Sequence, residues 1–377
     1  MSERERKNLI EKVKTAVVKI GSSVLTHGDG SLDESVFNEI AGQVFKLRHR
    51  GVRTIIVSSG AIASGMKKLG LLNKPEEVDL KQAISACGQT ELIRKYEEAF
   101  SEFGMNVAQI LLTREGFSDR KRFLNSRKTI RRLLEMEIIP VINENDTVAF
   151  EEIMFGDNDN LAALVISLTE ADMLVLLSDV EGFFDNDPSK DENAKLLSMI
   201  VEIDSRIESF AGDTFGRTTS GGMRTKIQAA KSAAAFGVPT IIANGKRKDA
   251  LLSIFSGMDY GTVILPTKER LKGRKHWIAY TLTPRGKLVL DEGATHAITK
   301  KGKSLLPSGI RKVEGEFGLG ELVSCMDSSG VEISRGLCSY ASSEIRKIMG
   351  KKSSEIESVL GYRYSDEIVH RNEMVIL

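Results

Sequence analysis

The apolar positions of this chain follow two alternating periods. Continuous β-branched and aliphatic runs at 15–20, 54–57, 107–112, 138–142, 173–177 and 239–243 each close in small or polar residues and read as buried strands. Between them the spacing becomes helical. Val36, Ile40, Val44 and Leu47 form one stripe over 32–50, and helices are predicted again over 80–103, 120–136, 161–170 and the alanine-rich 226–236. The first fourteen residues are charged, helix-like material. Short buried strands alternating with helices predict an α/β fold, a mainly parallel open sheet sandwiched by helices. Its active-site loops belong beyond the carboxyl ends of the strands.

The pattern changes near residue 275. Strand-like pieces at 287–290, 297–299, 309–313, 322–326, 331–337 and 373–377 are separated by glycine turns, and one helix is predicted over 341–349. This predicts a second, mostly β domain. At 377 residues the chain is long for a single core. The division expected is a larger domain over 1–262, a linker over 263–276 and a smaller domain over 277–377.

Composition narrows the function classes. A formal net charge of +1 gives no global electrostatic case for nucleic acid or an anionic membrane. Cys87, Cys325 and Cys338 are too few and too scattered for a disulfide framework or a thiolate metal site. No apolar stretch approaches the roughly 20 residues that span a bilayer. The expectation is a cytoplasmic protein without membrane attachment.

Two lysine-and-glycine segments lie far apart in the chain: VVKIGSS at 17–23 and SGGMRTK at 220–226. Lys19 ends a predicted strand, and Gly21 after it permits close approach of a phosphate to the backbone. The bland alternative is a surface lysine at a strand end. The second segment puts Gly221, Gly222, Thr225 and Lys226 ahead of a helix, in the manner of a phosphate-clasping loop. SSGAIASG at 58–65 is a strand–loop–helix junction of small residues, either an anion site at free helical N–H groups or a tight connection. There is no GxxxxGK[ST], so the P-loop assignment lacks its motif.

Between the lysines, Asn143, Glu144, Asn145 and Asp146 follow one strand, and GDNDN at 156–160 opens a helix. Capping needs one such residue, and several are present. The excess suits an ammonium group, the orientation of lysines or a metal–nucleotide. A hard Mg²⁺ held mainly by phosphates leaves little signature of its own. Ser178 and Asp179 end another strand, where a nucleotide or a capped turn fits.

The segments VVKIGSSVLT, IVSSGAIASG, PVINENDTVA, GDNDNLAALV, LLSDVEGFFDNDP and TSGGMRTKIQAA, in that order, resemble the amino-acid kinase family, and within it the glutamate 5-kinases. Residues 276–377 resemble a PUA domain, a small barrel-like module. The resemblance implies ATP-dependent phosphorylation of the side-chain carboxylate of L-glutamate, the first step of proline biosynthesis, with Mg²⁺ joining the β- and γ-phosphates. It implies that Lys19 and Lys226 neutralise the phosphoryl group and that Asp159 orients both. Ser59, Asp146 and Asn158 would bind glutamate. Ser178 and Asp179, with Thr219, Ser220, Gly221, Gly222, Met223, Arg224 and Thr225, would hold the nucleotide. It further implies a homodimer or homotetramer and feedback inhibition by proline. PUA domains elsewhere bind RNA, but residues 277–377 carry 14 Lys/Arg against 13 Asp/Glu, a thin physical case.

Overall fold

The structure, a computed structural model, describes residues 3–73, 75–113, 116–117, 120–148, 158–188, 191–213, 222–266 and 284–377. It divides into two compact units, Met1–Arg270 and Leu271–Leu377. In the first, the strands are β1 Thr15–Ile20, β2 Arg53–Ser58, β3 Val107–Leu112, β4 Ile139–Glu144, β5 Met173–Ser178, β6 Met199–Ile200, β7 Thr240–Asn244 and β8 Thr262–Ile264. They form one sheet in the order β3-β4-β2-β1-β5-β7-β8-β6. Every pairing is parallel except β7 with β8.

A parallel sheet must be covered on both faces, and the strand sequences supply that cover. Ala16, Val18 and Ile20 of β1, with Met173, Val175 and Leu177 of β5, pack against Phe37, Ile40, Val44 and Leu47 of the helix Glu34–His49. The alternate residues Val17, Leu174 and Leu176 face the helices Asn158–Thr169 and Met223–Ala235 on the other side. These strands are mostly apolar because neither face meets water, with Lys19 and Ser178 as exceptions near their carboxyl ends. The chain builds outward from β1 through β2 to β4 and β3, then crosses back to place β5 on the other side of β1. The order reverses at β1, and that reversal opens a crevice at the carboxyl ends of β1 and β5.

Polar side chains fix the joints of this frame. Asp172 accepts the backbone N–H groups of Lys14 and Thr15, each at 2.9 Å, tying the start of β1 beside β5. Buried Gln43 accepts from Leu251 and Leu252, capping the helix Ala250–Phe255 from another helix. Buried Arg6, on the helix Glu3–Ile10, pairs with Asp259 and donates to the carbonyl of Tyr260 at 2.8 Å.

Helix Ala61–Lys68 crosses Val78–Ser101 at two glycines. A Cβ on Gly65 would lie 2.0 Å from the carbonyl oxygen of Ile84, and one on Gly88 would lie 1.9 Å from that of Ala61. The two helices therefore touch backbone to backbone. Glycine is also required at Gly60, whose φ of +103° starts the first of them in the left-handed region.

In the second unit, strands β9 Gly286–Leu290, β10 Ile310–Gly315, β11 Leu322–Met326, β12 Glu332–Leu337 and β13 Met374–Ile376 pair in the order β10-β9-β11-β12-β13. Their core is Leu288, Leu290, Val323, Ile345, Ile348 and neighbours. The strand expected at 297–299 is instead part of the helix Glu292–Lys301. Asp291 caps its start by accepting from Ala294, and Gly302, at φ +57°, ends it. Among the described residues no helix is long and apolar enough to cross a membrane.

Candidate active site

Lys19 is the penultimate residue of β1, in register with Val57 on one side and Leu176 on the other. Side chains alternate across a strand, so Lys19 shares the face of Val17, the face covered by the helix Asn158–Thr169. Asp159 lies in the first turn of that helix. Its Oδ1 is 2.6 Å from Lys19 Nζ, and its Oδ2 is 3.3 Å from Lys226 Nζ. Thr225 Oγ1 also donates to Asp159 Oδ2, at 2.8 Å. Lys226 reaches this point because the helix Met223–Ala235 starts at Gly222 and packs beside Asn158–Thr169. Three segments more than 60 residues apart in sequence thus meet at the reversal of strand order.

All three charged groups are buried: Lys19 and Lys226 are 4% exposed and Asp159 is 0% exposed. Burial alone would raise the Asp159 carboxyl, but the charges of Lys19 and Lys226 outweigh it and hold it below the usual carboxylate range. The Lys226 ammonium is pushed down, first by burial and further by Lys19, against the pull of Asp159. The three ionised side chains sum to one positive charge, which suits an anionic ligand.

The sign of this shift gives a pH prediction. A depressed Lys226 loses its proton as pH rises, below the ordinary lysine value of 10.5. On the activity that the sequence resemblance implies, the expected result is that kcat/KM for ATP, which reports the free enzyme, falls on an alkaline limb below that value. In Lys226→Arg the limb moves to higher pH, because guanidinium keeps its proton. A pH–rate profile from 6 to 11 checks both statements.

A polar network extends from Asp159 toward β4. Asn158 Nδ2 lies 2.7 Å from the carbonyl oxygen of Ser58, 2.8 Å from Asn143 Oδ1 and 3.1 Å from Ser59 Oγ. Asn158 Oδ1 is buried with no hydrogen-bond partner among the described residues, an acceptor open to a ligand donor. Asn143 Nδ2 donates to Gln89 Oε1 at 2.7 Å. Asp146 lines a neighbouring cavity of about 260 Å³ and takes a hydrogen bond from Ser85. Burial raises the Asp146 carboxyl, and Ser85 partly offsets that.

Across the crevice, Ser178 Oγ donates to Asp179 Oδ1 at 3.1 Å, and the Asp179 charge reaches Lys226. The structure therefore brings together Lys19, Ser59, Asn158, Asp159, Thr225 and Lys226, with Asp146 to one side and Ser178 and Asp179 to the other. Gly222 caps the helix that carries Met223, Arg224 and Thr225. Thr219, Ser220 and Gly221, with Gly156 and Asp157 of the GDNDN segment, lie outside the described residues.

Ser85 and Gln89 were not among the expected site residues. Their signal is local: two polar residues at i and i+4 on a helix whose neighbouring positions Ile84, Gly88 and Leu92 are buried.

Residues 14–244 match the profile described as the amino acid kinase family, and residues 286–360 match that of the PUA domain. A glutamate 5-kinase of Geobacter sulfurreducens is 49% identical over 372 residues, covering 99% of this chain and 100% of the relative. A glutamate 5-kinase of Pelobacter propionicus is similar to the same extent, 49% over 372 residues with the same coverage. Among solved structures, UMP kinase from Ureaplasma parvum aligns with a TM-score of 0.47 at 17% identity, covering 67% of this chain and 99% of that one. With a family match over more than half its length and relatives near half identity end to end, the chain belongs to the amino acid kinase family, in its glutamate 5-kinase group, with a PUA domain following.

Proposed function

We propose that this chain transfers the γ-phosphoryl group of ATP to the side-chain carboxylate of L-glutamate, giving ADP and L-glutamyl 5-phosphate, the first step of proline biosynthesis. The observation that carries the reading is the buried Lys19–Asp159–Lys226 arrangement, two ammonium groups on one carboxylate. The acceptor oxygen of glutamate is already an anion, so no strong general base is needed. The barrier lies in bringing two anions together and in the charge on the phosphoryl oxygens. Lys19 and Lys226 neutralise that charge from two sides, and Asp159 holds them apart at a fixed span. Being held in place before the reaction, they cost no reorganisation when charge develops.

Asp146 takes the α-ammonium of glutamate, and Ser59 and Asn158 complete the acceptor site. Ser178, Asp179 and the segment from Thr219 through Ser220, Gly221, Gly222, Met223 and Arg224 to Thr225 hold the nucleotide. Mg²⁺ bound to ATP would supply charge neutralisation on the phosphates. The donor set fits a metal carried by the nucleotide: Asp159, the carboxylate at the centre, is committed to two lysines and Thr225.

On this reading residues 1–262 are the catalytic domain, 263–276 the linker and 277–377 the PUA domain. The protein works in the cytoplasm as a homodimer or homotetramer, and proline inhibits it at the glutamate site. The near-neutral PUA domain is assigned a structural or regulatory role toward the kinase, and salt-sensitive binding of RNA by the chain would favour the alternative, an RNA-binding module. The deciding experiment is ADP release across a panel of amino acids and N-acyl amino acids. L-Glutamate alone should sustain efficient turnover. Comparable turnover with aspartate or N-acetylglutamate overturns the substrate assignment.

A further inference from the structure

Two backbone groups fix the sense of three side-chain amides beside the site. The carbonyl of Ser58 can only accept, so the Asn158 atom 2.7 Å from it is the amide nitrogen. The backbone N–H of Glu144 can only donate, so the Asn143 atom 2.8 Å from it is the amide oxygen. That same oxygen receives Asn158 Nδ2, and both constraints agree. Asn143 therefore turns its nitrogen to Gln89, at 2.7 Å, and Gln89 must answer with its oxygen. The remaining group of Gln89 is an N–H donor.

Gln89 lines the cavity of about 260 Å³ that also holds Ser85, Gln109, Glu144, Asn145 and Asp146. Ser85 and Gln89 are one helical turn apart on Val78–Ser101, and Ser85 hydrogen-bonds Asp146 Oδ2. One face of this helix thus steadies a carboxylate and directs an amide donor beside it. Glu144 and Asp146 also line the cavity, and the amide of Gln89 offers an entering carboxylate an N–H donor there.

We propose that Gln89 is a substrate-binding residue: its Nε2 donates to the α-carboxylate of the amino acid whose α-ammonium rests on Asp146. This rests on the acceptor-site reading given above. The pair reads the two charged groups of an amino acid with opposite chemistry, a fixed acceptor for the ammonium and a fixed donor for the carboxylate. Reversing the sense of Gln89 then rejects the substrate without breaking the network behind it.

Gln89→Glu performs that reversal. One carboxylate oxygen still accepts from Asn143, while the other now faces the substrate carboxylate. The expected result is a rise in KM for L-glutamate of about 30-fold or more, from a lost charge-assisted hydrogen bond and new like-charge repulsion. KM for ATP and kcat at saturation stay within about threefold, since the phosphoryl-handling groups are untouched. Unchanged KM for glutamate in a folded variant overturns the proposal. If the variant does not fold, Gln89→Met of similar length should raise KM for glutamate about tenfold, and no rise there overturns the proposal equally. Wild-type ADP release with glutamate, run alongside, keeps the two readings separate. Its presence with unaffected variants sinks only the role of Gln89, and its absence sinks the acceptor assignment itself.

Discussion

Lys226→Ala lowers kcat by about a thousandfold, the scale on which single preorganised charges act in phosphoryl transfer. The chain stays folded. Removing Lys226 leaves Lys19 and Asp159, a neutral pair at 2.6 Å, so no buried charge is abandoned. Alanine has the highest intrinsic helix propensity, which limits any local loss in the helix Met223–Ala235. Asp159→Asn is the informative contrast. It leaves two buried ammonium groups facing each other with no carboxylate between, and breaking a buried pair in this way costs about 3–5 kcal/mol. That variant should lose stability and rate together. Steady-state kcat at saturating ATP and glutamate, read with a thermal melt, separates the two outcomes. A near-normal kcat in Lys226→Ala overturns the role given to this lysine.

Gly88→Ala has a large expected effect on stability that involves no charge. The added Cβ would sit 1.9 Å from the Ala61 carbonyl oxygen and 2.4 Å from the Gly65 nitrogen. Both are backbone atoms, so no rotamer change relieves the clash, and the helices must separate. Overpacking of this kind costs about 3 kcal/mol or more, which lowers the first unit's melting temperature by about 6 °C or more. Gly28→Ala is the control: its Cβ meets nothing within 4 Å, and its melt should match the wild type. Gly88 also adjoins Gln89, and Ala61 follows the Ser59–Gly60 turn. The loss should therefore extend to glutamate binding, seen as a raised KM in whatever fraction remains folded. A Gly88→Ala melt indistinguishable from wild type would show that the helices part without cost.

The central sheet was legible because its strands are buried on both faces. Runs such as AVVKI and MLVLL have one reading at that length, and β1 and β5 begin where their sequences predict. The segment 297–299 was misread for the opposite reason. It is short, and its fate is decided outside it, by the cap at Asp291 and the left-handed Gly302. In the site, Lys19, Asp159 and Lys226 stood out as charges beside small residues at strand or helix ends. Gln89 did not. A glutamine on a long helix is ordinary until its Oε1 is found opposite Asn143, 54 positions away, and no local pattern encodes that partner. Nor does any pattern in SSGAIASG or QAISACGQ announce that Gly65 and Gly88 are one contact.

The position of β1 bears on how the chain comes off the ribosome. Its partner on one side, β2, is complete at Ser58, but its partner on the other begins only at Met173. At 5–20 residues per second the first strand waits on the order of ten seconds with one edge unpaired. During that interval the nascent chain carries Lys19 without Lys226, and without Asp159 until its last stretch. Phosphoryl transfer is therefore a property the chain cannot express early: synthesis must pass the second lysine before the charge-neutralising pair exists. The same delay leaves a bare apolar edge, the kind of surface on which chains aggregate. A holdase that retards collapse should act on nascent chains shorter than about 180 residues, before β5 can close that edge.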